Sequence, residues 1–170
     1  LDRTIRIWNA NVYPERTRFA LPAWSIHTAA FTEDSKSLMV SDYNQVWLLD
    51  SRSNRVRTSW PTNHWTIAAA ISPDGTRIAT AGQRNTRGNG GALIRLWDVA
   101  DISKPMELAT PLHSATTVAF SKDGKTLFAL CRSEGQAASS VRLYSAGNGR
   151  LLKAWGAASQ SARSTEGWCM

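Results

Sequence analysis

The stretch "AISPDGTRIATAG", residues 70–82, sets a Pro-Asp-Gly corner between two runs that alternate apolar with small or polar side chains. Such a corner is either a glycine-rich loop that cradles a ligand or the tight turn of a hairpin. The chain decides by repetition: "AFSKDGKTLFALC" (119–131) has the same layout, and "AFTEDSKSLMVSD" (30–42) is a weaker copy. Pro73 pre-sets its backbone for a turn, Asp74 can bond its own backbone, and Gly75 accepts the positive φ that closes a hairpin. Asp123 and Gly124 repeat the pair, while Ser37 and its neighbours are expected to form the corner in the earlier copy. A phosphate-cradling loop would open a helix, and no helical periodicity follows. The corners are hairpins.

With Asp34, Asp74 and Asp123 in register, each corner is followed by a second apolar alternation: "QVWLLD" (45–50), "LIRLWD" (93–98) and "VRLYSA" (141–146). A fourth such segment, "TIRIWN" (4–9), opens the chain. A period of roughly 40 to 50 residues points to propeller blades or solenoid units. The segments are short, rich in β-branched and aromatic residues, and alternate by two, so they are strands. The third copy parses as strands at 66–71, 77–82, 92–98 and about 105–109; the fourth parses at 115–120, 126–131, 140–145 and 151–155. His27 is expected within a first strand of the second copy. Each sheet is apolar on both faces, with Ile94 and Leu96 on one side of a strand and Trp97 on the other. It must lie between neighbours, and radial stacking of antiparallel meanders achieves that.

Composition bounds the reading. The chain has 170 residues, 42% hydrophobic and 19% charged, which suits a globular domain. Its net charge of +7 is spread along the chain without charged blocks, so nucleic acid is an alternative partner rather than the expected one. Cys131 and Cys169 make no disulfide framework or metal spacing and leave the compartment open, with the cytoplasm favoured. No apolar run approaches the roughly 20 residues of a membrane helix, and "LDRTIRIW" is no leader.

The wording "DRTIRIW", "VAFSKDGKTL" and "ISPDGTRIATAG…IRLWDV" resembles the WD-repeat family of β-propellers across residues 1 to 156. The resemblance implies an all-β fold of four-stranded blades, a partial blade at 1–22 and blades at about 23–60, 61–109 and 110–155. Residues 157–170 are an irregular tail or the start of a truncated blade, and the remaining blades are expected in a longer chain. It also implies a stiffening hydrogen-bond chain in each blade, running from a His before the first strand through a Ser or Thr to a Trp on the third. His64, Thr80 and Trp97 occupy those positions in the third copy, His113 in the fourth, and Asp2 with Trp8 in the opening fragment. Leu49 and Tyr144 replace the Trp in the second and fourth copies, which weakens the network.

Function then falls to loops. The loops leading into first strands and those joining second to third strands share one rim, opposite the Asp74 and Asp123 corners. That rim collects Trp24, Tyr43, Trp65, Arg84, Arg87 and Arg132, the aromatic and arginine types that dominate binding hot spots. They are the candidate partner-binding residues. Arg6, Arg95 and Arg142 recur two residues before the Trp position and are expected to pack structurally. No Ser-His-Asp, Cys-His or metal-ligand arrangement can be assembled from spacing. The expected function is a non-catalytic scaffold for a protein or peptide, without cofactor or metal. The alternatives are a nucleic-acid-binding propeller using its arginines and a sensor region of a larger enzyme.

Overall fold

The computed structural model describes residues 4–9, 12–23, 25–53, 55–84, 91–110, 112–132 and 139–156; through residue 19, Ile5 is the one side chain described. Strands β1 (Thr4–Asn9) and β2 (Val12–Ala20) pair as a two-stranded sheet. Three four-stranded sheets follow. The first comprises β3 (Thr28–Phe31), β4 (Ser37–Ser41), β5 (Gln45–Asp50) and β6 (Arg55–Pro61). The second comprises β7 (Trp65–Ile71), β8 (Arg77–Gln83), β9 (Ala92–Asp98) and β10 (Met106–Leu108). The third comprises β11 (Ser114–Phe120), β12 (Thr126–Arg132), β13 (Ser139–Ser145) and β14 (Leu151–Gly156). Within each sheet, strands consecutive in sequence pair as antiparallel neighbours. No helix occurs among the described residues, and none is long and apolar enough to cross a membrane. His27 lies just before β3 rather than within a strand, its amide bonded to the Ser41 carbonyl at 2.9 Å.

The corners share one hydrogen-bond design. Asp74 Oδ1 accepts from the Ser72 hydroxyl at 2.6 Å and the Thr76 amide at 3.0 Å, while Ser72 Oγ accepts from the Arg77 amide at 2.9 Å. Ser121, Asp123 and Lys125 repeat it, as do Thr32, Asp34 and Lys36. A Ser or Thr two residues ahead of the Asp is thus part of the motif, because its oxygen accepts the amide three residues past the Asp, which would otherwise go unmet. The residue after each Asp takes positive φ: Ser35 at 55°, Gly75 at 73° and Gly124 at 67°. Ser35, not Ser37, therefore carries the left-handed position in the second copy; Ser37 opens β4 and is buried. These carboxylates have pKa values below the usual range. The Lys36 amide is the largest cause for Asp34, which falls to about 2, and the Ser72 and Ser121 hydroxyls lead for Asp74 and Asp123.

The sheets stack through their first strands. β7 lies against β3 and β4, and β11 against β7, β8 and β9. Met39, Val46, Leu48 and Trp60 meet Ala69, Ile71, Ile78 and Trp97 at one junction. At the next, Ala70, Ala79, Ala81, Ile94, Leu96 and Leu108 meet Val118, Leu127, Ala129, Cys131 and Tyr144. Leu38, Val40, Trp47 and Leu49 turn the other way, against Ile5, Leu21, Ala23 and Ile26. Every four-stranded sheet is apolar on both faces, so burial drives stacking. The result is an all-β, propeller-like fold, open rather than closed.

Candidate interaction rim

Three loops converge at the rim opposite the Asp corners. The Tyr43 carbonyl accepts the Thr66 amide at 2.7 Å and the Asn44 carbonyl accepts the Thr62 amide at 2.7 Å, tying the β4–β5 turn to the segment that enters β7. Asp42 Oδ1 caps its own turn by accepting from the Asn44 and Gln45 amides, each at 2.8 Å. Asn63 takes a left-handed φ of 56°, which turns the chain from Pro61 back into β7.

The buried His64 ring anchors this turn. Nδ1 lies 2.9 Å from the Thr62 carbonyl, which can only accept, so Nδ1 carries the proton; Nε2 faces Thr66 Oγ1 at 3.3 Å. Nδ1 is thereby committed to the turn, and Nε2 lies against its Thr66 hydroxyl, which donates to Thr62 Oγ1 at 3.0 Å. The expected relay from His64 to Thr80 is replaced by this local pairing, whereas its other half is present: Trp97 Nε1 donates to Thr80 Oγ1 at 2.9 Å. Burial first of all pushes the His64 pKa below 6.5, which keeps the ring neutral. In the next sheet, the fully buried Tyr144 donates its hydroxyl to the Ala109 carbonyl at 3.0 Å. The His113 amide bonds the Arg132 carbonyl at 3.0 Å.

On this base stand three rings in series. His27 and Tyr43 have centroids 3.9 Å apart, and Tyr43 and Trp65 4.5 Å apart, both tilted. Trp65 is 50% exposed although it is the first residue of β7. Register explains its position. The ladder between β7 and β8 slips between Thr66 and Ala68, leaving Ile67 as a bulge. The slip brings the Trp65 carbonyl onto Gly82, where a Cβ would collide with it. Gly82, the last residue of the opening stretch, is thus what lets the indole stand at the rim.

The sequence places Tyr43 and Trp65 on one rim, and the structure brings them into contact. His27 joins them from a position sequence reasoning assigned to a strand. Arg84 is drawn into an ion-pair group instead of standing alone: Glu107 bonds Arg84 at 2.9 Å and Arg95 at 2.7 Å, and Arg95 also donates to the Thr62 carbonyl at 2.6 Å. These arginines, the Arg95 hydrogen bond first, hold the Glu107 carboxyl below its usual pKa. Arg95 also lies 6.0 Å from the Trp97 ring, in line with a packing role. Arg132 stands exposed at the end of β12, one sheet away. Trp24, Arg87 and Asp2 lie outside the described residues, as does the Trp8 side chain on β1. The signals that could have revealed Thr62, Thr66 and Gly82 were small or hydroxylated residues at strand ends, which composition alone does not distinguish from solvent-facing ones.

The opposite rim holds a cleft of about 390 Å³ between the three corners, lined by Glu33, Asp34, Asp74, Lys122 and Asp123. Asp34, Asp74 and Asp123 are already engaged as caps of their own turns. Among the described residues no three His, Cys, Asp or Glu side chains converge as a metal site. The Cys131 thiol is buried, and burial raises its pKa.

The fold and rim define an open, propeller-like β protein with an aromatic ledge. Neither protein-family models nor curated proteins yield a match to this chain. Among solved structures, hydrazine synthase from Kuenenia stuttgartiensis superimposes with a TM-score of 0.77 at 22% identity. The superposition covers 91% of this chain and 43% of that one, so this chain spans less than half of its length. The likeness is one of fold.

Proposed function

We propose that this chain is a WD-repeat-like, non-catalytic scaffold that presents the His27–Tyr43–Trp65 rim to a protein or peptide partner. The observation that carries the reading is the half-exposed Trp65 indole, stacked on Tyr43 and braced from below by the buried His64, Thr62 and Thr66 pairing. A large rigid aromatic held at a solvent-facing rim loses little conformational freedom on binding and buries much apolar area. Arg84 follows Gln83, the strand partner of Trp65, and so lies beside the ledge. The pairing of Arg84 with Glu107 favours a protein partner over nucleic acid, since that guanidinium is already partly neutralised. Capture or crosslinking of cell proteins by wild type and by Trp65→Ala tests the reading. Partners held by wild type should be lost with Trp65→Ala while its circular dichroism and melting stay unchanged; identical capture by a folded variant overturns the proposal. A second reading, a region within a larger enzyme, draws support from the long chain of the hydrazine synthase whose fold this one matches. The sequence flanking this region in its gene tests that alternative.

A further inference from the structure

Register sets one arginine at the same place in each of the last two sheets. With Trp97 and Tyr144 equivalent on the third strands, Arg95 lies between Thr80 and Glu107 on its neighbours, and Arg142 between Ala129 and Ala154. The first guanidinium uses all three nitrogens. Arg95 Nε and Nη2 both donate to Glu107 Oε1, at 3.2 and 2.7 Å, and Nη1 donates to the Thr62 carbonyl at 2.6 Å. The second guanidinium meets no acid on the facing strand. Ala154 ends at a methyl group, and Arg142 Nε is buried without a hydrogen-bond partner among the described residues.

The groups around Arg142 are polar but neutral. Residues two apart on a strand share a face, so Arg142 lies on the side of its sheet that carries Tyr144, which packs with Ala129 and Cys131 towards β7–β10. Burial raises the pKa of the Cys131 thiol and of the Tyr144 hydroxyl, and Arg142 draws each part of the way back, which sets its charge beside both. Neither carries a negative charge to answer it. Thr110 acts on the same two groups, and its buried Oγ1 likewise lacks a partner among the described residues. Arginine does not shed its proton on burial as lysine does, so an unmet guanidinium N–H is satisfied only by an acceptor. The described acids are committed elsewhere: the aspartates cap their own turns, Glu33 stands at the first sheet's corner, and Glu107 is taken by Arg84 and Arg95. We infer that Arg142, across from Ala154, is a carboxylate-binding site, in which an acid carried by another molecule takes the place that Glu107 takes beside Arg95. It is the Nε side of Arg95 that grips a carboxylate oxygen, and it is the Nε side of Arg142 that is unmet. The net charge of +7 favours an anion as ligand. Ala154 is exposed on the edge strand β14, so nothing on that strand's outer side shields the place. The site belongs to a different sheet from the Trp65 ledge and does not rest on it.

The test follows the Nε–Hε magnetic-resonance signal of Arg142 in the 170-residue chain, assigned by its loss in Arg142→Lys. Acetate and the peptide acetyl-Gly-Glu-Gly-amide supply the carboxylate alone and on a peptide. Both should move the signal along a saturating curve, with half-saturation in the range of about 1 to 30 mM. Tighter binding of the peptide assigns the acid to a protein partner, and equal binding assigns it to a free small acid. Ala154→Glu places the acid within the chain, at the position of Glu107. It should set the signal at the ligand-saturated position and weaken the response to acetate about tenfold or more. A linear shift, or one that chloride at equal ionic strength reproduces, overturns the inference, as does an acetate response that Ala154→Glu leaves unchanged. A wild-type signal already at the saturated position, and released by Glu134→Gln or Glu166→Gln, gives the site to the chain's own acid and also overturns it. Trp65→Ala should leave the titration as it is, so failure of the ledge and failure of this site are read separately.

Discussion

Two indoles show what a single hydrogen bond decides here. Trp97 and Trp60 pack on each other in one junction, yet Trp97 Nε1 reaches Thr80 at 2.9 Å while Trp60 Nε1 is buried without a partner among the described residues. Trp97→Phe orphans the buried Thr80 hydroxyl, and Trp60→Phe removes a donor that had nothing to bond. Urea denaturation should therefore find Trp97→Phe less stable than Trp60→Phe by about 1 kcal/mol or more, and equal losses would show the Trp97 bond to be energetically idle. Ser35 offers the opposite sign. It holds the left-handed conformation that Gly75 and Gly124 hold elsewhere, a region that costs a side-chain-bearing residue roughly 1 kcal/mol. Ser35→Gly should raise stability by about 0.5 kcal/mol, after the glycine's greater freedom in the unfolded chain is subtracted. That Gly75 and Gly124 sit in corners is legible from their Pro-Asp-Gly and Lys-Asp-Gly settings. The Ser35 strain is not, because no glycine marks it.

At the scale of the element, each hairpin depends on the hydroxyl that precedes its aspartate. Ser72 is buried, donates to Asp74 and accepts the Arg77 amide, so Ser72→Ala leaves that amide without its acceptor at the mouth of β8. A loss of roughly 1–3 kcal/mol is expected by thermal or urea melting, with faster amide exchange at Arg77 as its local signature. Gly82 governs the other end of the same hairpin. Gly82→Ala forces the Trp65 carbonyl away and should cost about 1–3 kcal/mol, while shifting Trp65 fluorescence more than the other indoles, read by comparison with Trp65→Phe. Strand identity and order were readable from period-two alternation, and the structure moves most ends by a residue or so. β10 is the shortest. It begins only at Met106 because the Asp101–Ser103 turn precedes it and Pro105 has no amide proton for the ladder.

For the molecule as a whole, acid stability follows from one buried ring and several exposed caps. His64 is neutral in the fold with a pKa below 6.5, whereas the unfolded chain takes up the proton near 6.5. The unfolded state thus binds more protons in the window below 6.5, and stability should be full above that pH and decline as pH falls through it. His64→Gln should flatten this part of the profile, and a decline that persists in the variant would assign it to other groups. A further loss is expected as pH falls from the ordinary carboxylate range towards about 2, where Asp34 takes up its proton; Asp74 and Asp123, also lowered in the fold, add to it in the same direction.

What the sequence determined by itself is the local chemistry: corners at Asp34, Asp74 and Asp123, alternating strands between them, and sheets apolar on both faces that had to be stacked. These are legible because each rests on residues only a few positions apart. Tertiary structure alone decided that His64 turns to Thr62 and Thr66 instead of Thr80, that His27 stacks on Tyr43 and Trp65, and that Arg84 meets Glu107. Those contacts depend on how far loops from different strands and sheets lean towards one another. A bulge at Ile67 or a left-handed Asn63 sets that lean by ångströms, and spacing along the chain does not encode it.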